Sequence, residues 1–265
     1  MNTTISLKQI NKLAIPAIIA GISEPILSLT DAAIVGHMSI HATESLAAVG
    51  VVTAFLSMLI WVLGQSRSAI SSIISQYVGA NKLNEVKDLP VQAIAIILLI
   101  AIVVCIITYP FSKSIFSLYN ASGLLLKYSV SYYKIRVVGL PFTLYVFAVF
   151  GVFRGLQNTY YPMIIAITGA TVNILLDFVL VYGIKDWFLP LNLQGAAIAS
   201  VFSQLLMAAL STYFLLKKTE IPLRYSSPFN KEIPKFLNMI GHLIIRTLAL
   251  NTALYFATRF ATGYG

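Results

Sequence analysis

Apolar residues run through this chain in long blocks, and polar residues cluster in the short gaps between them. Seven blocks stand out, at about 10–36, 46–78, 89–111, 125–153, 160–183, 194–216 and 239–262. Spanning a hydrocarbon core of about 30 Å takes roughly 20 mostly apolar residues in helical form. Each block is long enough, and the longest imply tilt or protrusion beyond the bilayer. The pattern predicts an all-α, polytopic membrane bundle of seven spans. It excludes a β-barrel, whose strands alternate over about 10 residues and do not run continuously apolar.

The gaps are short and polar: ANKLNEVKD after the second block, RGLQNTYYP after the fourth and IKDW after the fifth. The exception is KKTEIPLRYSSPFNKEIPK, residues 217–235, which is basic and carries three prolines. It reads as a linker between two bundles. The expected division is a six-helix lobe over 1–216, a cytoplasmic linker over 217–238, and the first helix of a second lobe over 239–265. A single helix after a long linker has no bundle of its own, so the chain reads as part of something longer.

Composition agrees with the pattern. Of 265 residues, 58% are hydrophobic and 10% charged, with a mean hydropathy of +0.85, against about 25% charged in soluble domains. The net charge of +9 does not call for nucleic acid, because the basic residues fall in the gaps, where they set orientation. With the N-terminus inside, Lys8, Lys12, Lys82, Lys87, Arg154, Lys217, Lys218, Arg224, Lys231 and Lys235 face the cytoplasm, and Lys113, Lys127 and Lys185 face out. That asymmetry predicts a cytoplasmic N-terminus in a plasma (inner) membrane. The N-terminal MNTTISLKQINK lacks the features of a cleaved signal. The lone Cys105 is expected to do no more than pack.

Acidic residues well inside the spans are Glu24, Asp31 and Asp177. A charge at the centre of a membrane helix costs about 2.5–3.5 kcal/mol on insertion scales, so such residues default to functional candidates. Glu24 and Asp31 are seven apart, on nearly one helix face. Pro25, between them, leaves the Gly21 carbonyl without its helical partner and offers a hinge. Glu24 reads either as a cavity group or as a solvated one. Asn173 and Asp177 lie at i and i+4, again on one face. Together such groups suit a proton held by hydrogen bonding or a small hard cation on oxygen ligands. Ser200 adds a hydroxyl, and Gly195-Ala196-Ala197 permits close helix approach. Arg67, Lys134 and Arg136 are expected to pair with carboxylates, snorkel, or face a vestibule. His37 and His41 read as solvated. No nucleophile elbow, HExxH, P-loop or cysteine pair is present, so the chain is not read as an enzyme and needs no cofactor.

DAAIVGH, then SQYVGANK, FRGLQNTYYPMIIAITGATVNILLDFVLVYG and GAAIAS together resemble the MATE (multidrug and toxic compound extrusion) transporters. Arg67 before SQYVGA, YYKIRVVGLP, and RTLALN in the last block are similar to the DNA-damage-inducible protein F branch. The resemblance implies two pseudo-symmetric six-helix lobes in a monomeric transporter, joined by a cytoplasmic linker. It implies export of organic cations and other amphipathic, drug-like compounds across the lipid bilayer, in exchange for protons or sodium ions. The family's first-helix aspartate matches Asp31, its fifth-helix asparagine and aspartate match Asn173 and Asp177, and a sixth-helix threonine falls at Ser200. Asp31, Asn173, Asp177 and Ser200 are therefore the expected ion-coupling set, with sodium at Asp31, Asn173 and Asp177 as the alternative. Glu24 and Arg67 are the expected cavity residues, and Pro25 the expected hinge. Most of a second lobe is missing. The rival readings are a lipid-linked precursor flippase, whose headgroup Arg67, Lys134 and Arg136 would meet, and a fragment without activity.

A free aspartate titrates near pKa 3.9, too low to take up protons at neutral pH. Apolar burial and a like charge beside a carboxyl both favour its protonated form. Asp31 and Asp177 are therefore expected to act as a coupled pair with Asn173 as their hydrogen-bonding neighbour. One charge falling through 100 mV releases about 2.3 kcal/mol, and about 1.4 kcal/mol is tenfold. One proton per cycle would then sustain a gradient of roughly fortyfold.

Overall fold

Ser6 starts the first helix: its hydroxyl accepts from the Gln9 backbone N–H, and the Gln9 side chain accepts from the Ser6 N–H. This reciprocal box satisfies two donors that an uncapped helix would leave open. The computed structural model describes residues 6–38, 41–184, 189–222, 224 and 227–262, with the side chains at 251 and 254–262 excepted. Lys185, counted above among the outside charges, lies outside the described residues.

Among the described residues, ten α-helices follow in order. They are α1 (Leu7–Gly36), α2 (Ala42–Leu63), α3 (Ser66–Gly79), α4 (Leu89–Thr108), α5 (Ser112–Leu118), α6 (Gly123–Arg136), α7 (Leu140–Gly155), α8 (Tyr160–Tyr182), α9 (Leu193–Lys218) and α10 (Ile233–Thr262). Taken as continuous crossings they make seven helical spans long and apolar enough for a membrane. This is a multi-pass, all-helical membrane fold. α1 runs unbroken through Pro16 and Pro25.

Two of the sequence blocks are broken helices. The second divides at Gly64-Gln65 into α2 and α3. A Cβ on Gly64 would come within 2.8 Å of the Phe147 ring of α7, so only glycine leaves room at the break. The fourth divides into α6 and α7 around a 3-10 turn at Val137–Gly139. Pro141 has no N–H to offer the Val137 carbonyl. That carbonyl accepts from the Leu140 N–H in the 3-10 turn and, at 3.2 Å, from the Cys105 thiol of α4, so Cys105 does more than fill space.

Two further departures come from segments that look polar. FSKSIFSL contains α5, whose Phe116 is fully buried against Tyr133, with ring centroids 5.2 Å apart. A single well-placed aromatic ring converts an apparent loop into a cap on the bundle. The linker is also partly helical, because α10 begins at Ile233. Its Phe236 and Ile240 join the core formed by α3, α4 and α7. Before that helix, the Asn230 N–H donates to Gln92 Oε1 (2.8 Å), Asn230 Nδ2 to the Glu85 carbonyl (2.8 Å), and Tyr77 hydroxyl to Glu232 Oε1 (2.9 Å). The linker is thus docked across the ends of α3 and α4.

Small residues set how closely the remaining helices pack. A Cβ at Gly195 would lie 2.5 Å from the Leu180 carbonyl oxygen, so α9 starts in backbone contact with the end of α8. A Cβ at Gly151 would lie 2.6 Å from the Arg67 carbonyl oxygen, and one at Gly155 2.6 Å from Ile74 Cβ. One turn apart, this glycine pair seats α7 on α3 and fixes where Arg67 and Arg154 stand.

Candidate functional site

Asp31, Asn173, Asp177 and Ser200 are all buried, and come from three helices, α1, α8 and α9. In the amide orientation that satisfies both neighbours, Asn173 Nδ2 donates to Asp31 Oδ1 at 3.2 Å and its oxygen accepts from the Ser200 N–H at 3.1 Å. Asn173 therefore joins the three helices at one point. The Ser200 hydroxyl donates to the Ala196 carbonyl at 3.0 Å and keeps its acceptor lone pairs.

Asp177 is fully buried, and neither of its carboxyl oxygens accepts from an N–H or from a hydroxyl among the described residues. The groups that act on it electrostatically are the carboxyl of Asp31 and the positive charge of Arg136. Two carboxyl groups sharing a buried site attract only with a proton between them, since an ionised carboxylate can only accept.

Asp31 also opens onto a cavity of about 360 Å³. Glu24 and Ser200 line it, and so do Arg67, Arg136 and Arg154, with apolar walls from Trp61, Phe147 and Phe150. The volume is within the usual range of ligand pockets, about 300–1,000 Å³. The seven-residue spacing of Glu24 and Asp31 does bring both to this face. Asn173 and Asp177 stand behind Asp31 and do not reach the cavity wall.

Arg67 and Arg136 face the cavity, one of the places expected for them. Arg67 lies 4.8 Å over the Phe147 ring and Arg136 5.9 Å over the Tyr132 ring. Neither forms an ion pair among the described residues. Lys134 is turned away from the cavity, 5.3 Å over Tyr109. Arg154 replaces it in the lining, although the sequence places it with the loop charges. The one sequence signal for Arg154 is its position between Gly151 and Gly155, the pair that packs on α3.

Further ties fasten α1 to α8. Thr159 Oγ1 donates to the Leu13 carbonyl at 2.8 Å, and the Tyr182 hydroxyl to the Ile34 carbonyl at 2.8 Å. Sequence spacing offers no sign of either, because the partners lie 146 and 148 residues apart. Pro25 lies between the two ties. His41 sits 3.8 Å from Glu44 and stacks near Tyr128, with ring centroids 6.0 Å apart.

Comparison with known proteins gives a consistent outcome. The sequence profile of the MatE family matches residues 16–179. The chain is 29% identical over 202 residues to DNA damage-inducible protein F of Escherichia coli, covering 76% of this chain and 42% of that one. It is 27% identical over 222 residues to Probable multidrug resistance protein NorM of Thermotoga maritima, covering 82% of this chain and 46% of that one. A crystal structure of MATE in the bent conformation superposes with a TM-score of 0.84 at 23% identity, over 94% of this chain and 55% of that one. That likeness speaks for the fold. The chain spans about half the length of the curated relatives it matches.

Proposed function

Since the chain belongs to the MatE family, whose members are efflux transporters and not enzymes, we propose that it works in a secondary active antiporter. The carrier exports organic cations and amphipathic drugs in exchange for protons, from a plasma (inner) membrane with the N-terminus cytoplasmic. Residues 1–216 serve as one lobe, 217–238 as the linker and 239–265 as the start of a second lobe.

The observation that carries this reading is the buried carboxyl pair, Asp31 and Asp177, with Asn173 bonded to Asp31. With one proton the pair attracts; with none, two negative charges repel in a poorly solvated site. Gain of a proton draws α1 toward α8, and loss releases it. The ties at Leu13 and Ile34 hold both ends of α1, so movement concentrates near Pro25, where the Gly21 carbonyl lacks a helical partner. Asp31 lines the cavity, so the same movement reshapes the space around a substrate. Sodium is the alternative ion, held by Asp31, Asn173 and Asp177.

Accumulation of a fluorescent cation in cells expressing the complete gene tests this. Asp31→Asn is expected to abolish export, and export equal to wild type would remove the coupling role. Replacing sodium by choline is expected to leave export intact, whereas its collapse would assign the coupling to sodium.

A further inference from the structure

The charges lining the cavity do not balance. Glu24 and Asp31 stand against Arg67, Arg136 and Arg154. Arg136 acts through its charge on the Asp31–Asp177 pair, although its own Nε and Nη1 are buried without a hydrogen-bond partner among the described residues. Arg67 and Arg154 remain, opposite Glu24 alone.

These two guanidinium groups are brought together by the packing of α7 on α3. The Arg67 backbone touches Gly151, three residues before Arg154, and the two charges act on each other. Neither is in an ion pair among the described residues, with Glu24 or with anything else. Arg154 Nε is buried without a hydrogen-bond partner among them. Arg67 lies over the Phe147 ring, 4.8 Å from its centroid, and a guanidinium held on a ring in this way can still donate through its N–H groups. Buried donors in native proteins are nearly always satisfied, and two like charges in an apolar site ask for an anion between them. Leu56, Ile60, Trp61 and Phe150 give the cavity an apolar wall, and hydroxyl and amide groups such as Thr53, Thr143 and Gln204 line it elsewhere.

We propose that this end of the cavity is an anion seat, in which Arg67 and Arg154 hold the carboxylate, sulfonate or phosphate headgroup of an amphiphile whose apolar body lies against Trp61 and Phe150. The seat refines the substrate class of the efflux reading and rests on that reading for its physiological meaning. Guanidinium groups bind such oxygens through paired, charge-assisted hydrogen bonds. Glu24, on the same cavity, adds room for a cationic group, so zwitterions fit as well as simple anions.

The test uses the purified chain in nanodiscs of neutral phosphatidylcholine and two fluorescent probes of one shape: anilinonaphthalene sulfonate, which is anionic, and phenylnaphthylamine, which is not. The double variant Arg67→Gln/Arg154→Gln is expected to weaken sulfonate binding at least about tenfold and leave the uncharged probe unchanged. The charge-conserving Arg67→Lys/Arg154→Lys is expected to retain most of the sulfonate binding, which separates lost charge from lost structure. Equal sulfonate binding by wild type and the Gln variant overturns the seat, as does parallel weakening of both probes. Equilibrium binding needs no transport cycle. A failure of export in cells would therefore count against the efflux reading and not against the seat, and the converse holds.

Discussion

Asn173 of α8 donates to Asp31 of α1 across 3.2 Å, while its own oxygen receives the Ser200 N–H of α9. One amide thereby aligns the two carboxyl-bearing helices and ties them to a third. A carboxamide suits this place because it both donates and accepts. A hydroxyl would reach only one neighbour, and a third carboxyl would add charge to the pair.

Asn173→Ala is therefore expected to cost between about 0.6 kcal/mol, the average for hydrogen bonds between membrane helices, and about 1.7 kcal/mol, the largest. Asn173→Asp is expected to cost more at neutral pH, because it places a third acid beside Asp31 and Asp177. Reversible unfolding in mixed detergent micelles measures both, and a harmless Asn173→Asp would contradict this account of the site.

Gly195 meets the Leu180 carbonyl, which is backbone and cannot swing aside. Gly195→Val is expected to push α9 from α8, at a cost of about 1–3 kcal/mol typical of overpacking, and to loosen the Asn173–Ser200 contact with it. Thermal stability in detergent reads the first effect. Hydrogen exchange at the Ser200 amide reads the second.

The thiol of Cys105 is a second donor to the Val137 carbonyl, beside the Leu140 N–H. Cys105→Ser keeps a donor there and is expected to be nearly neutral. Cys105→Val removes it and is expected to destabilise by about 1 kcal/mol. Equal stability of the two variants, measured by unfolding midpoint, would show the bond to be unimportant.

Linker docking has its own pH signature. The hydrogen bond to Glu85 holds the exposed Lys231 ammonium above the ordinary lysine pKa, with the nearby Glu85 charge, Tyr77 and Glu232 acting in the same direction. A raised folded-state value contributes stability that is fully present below the unfolded value, about 10.4, and is lost as pH rises through the folded one. Docking is therefore expected to stay constant across neutral pH and to weaken in strong alkali as Lys231 loses its proton. It is also expected to weaken in acid as Glu85, held below its ordinary range by Lys231, gains one, and to weaken with salt at neutral pH. Hydrogen exchange or proteolysis over residues 224–232 follows it. Loosening between pH 5 and 8 would point to another group.

The fold was legible because hydrocarbon imposes a simple rule. Every backbone polar group must be satisfied within its own segment, so each long apolar block has to be a helix. The rule is silent on interruptions that neighbours repair. The breaks at Gly64 and Val137–Gly139 are packed against Phe147 and Cys105, which sit elsewhere in the chain. α5 looks polar until Phe116 finds its aromatic pocket.

The same division holds for the site. Intramembrane acids are costly wherever they occur, so composition and spacing alone singled out Glu24, Asp31 and Asp177, and helix geometry placed Asn173 on the Asp177 face. Which charges share the cavity was decided by packing. Lys134 turned to Tyr109, and Arg154 was carried in by the Gly151–Gly155 contact with α3. Periodicity fixes which face of its own helix a residue occupies, whereas the direction of that face is set by the helix packed against it.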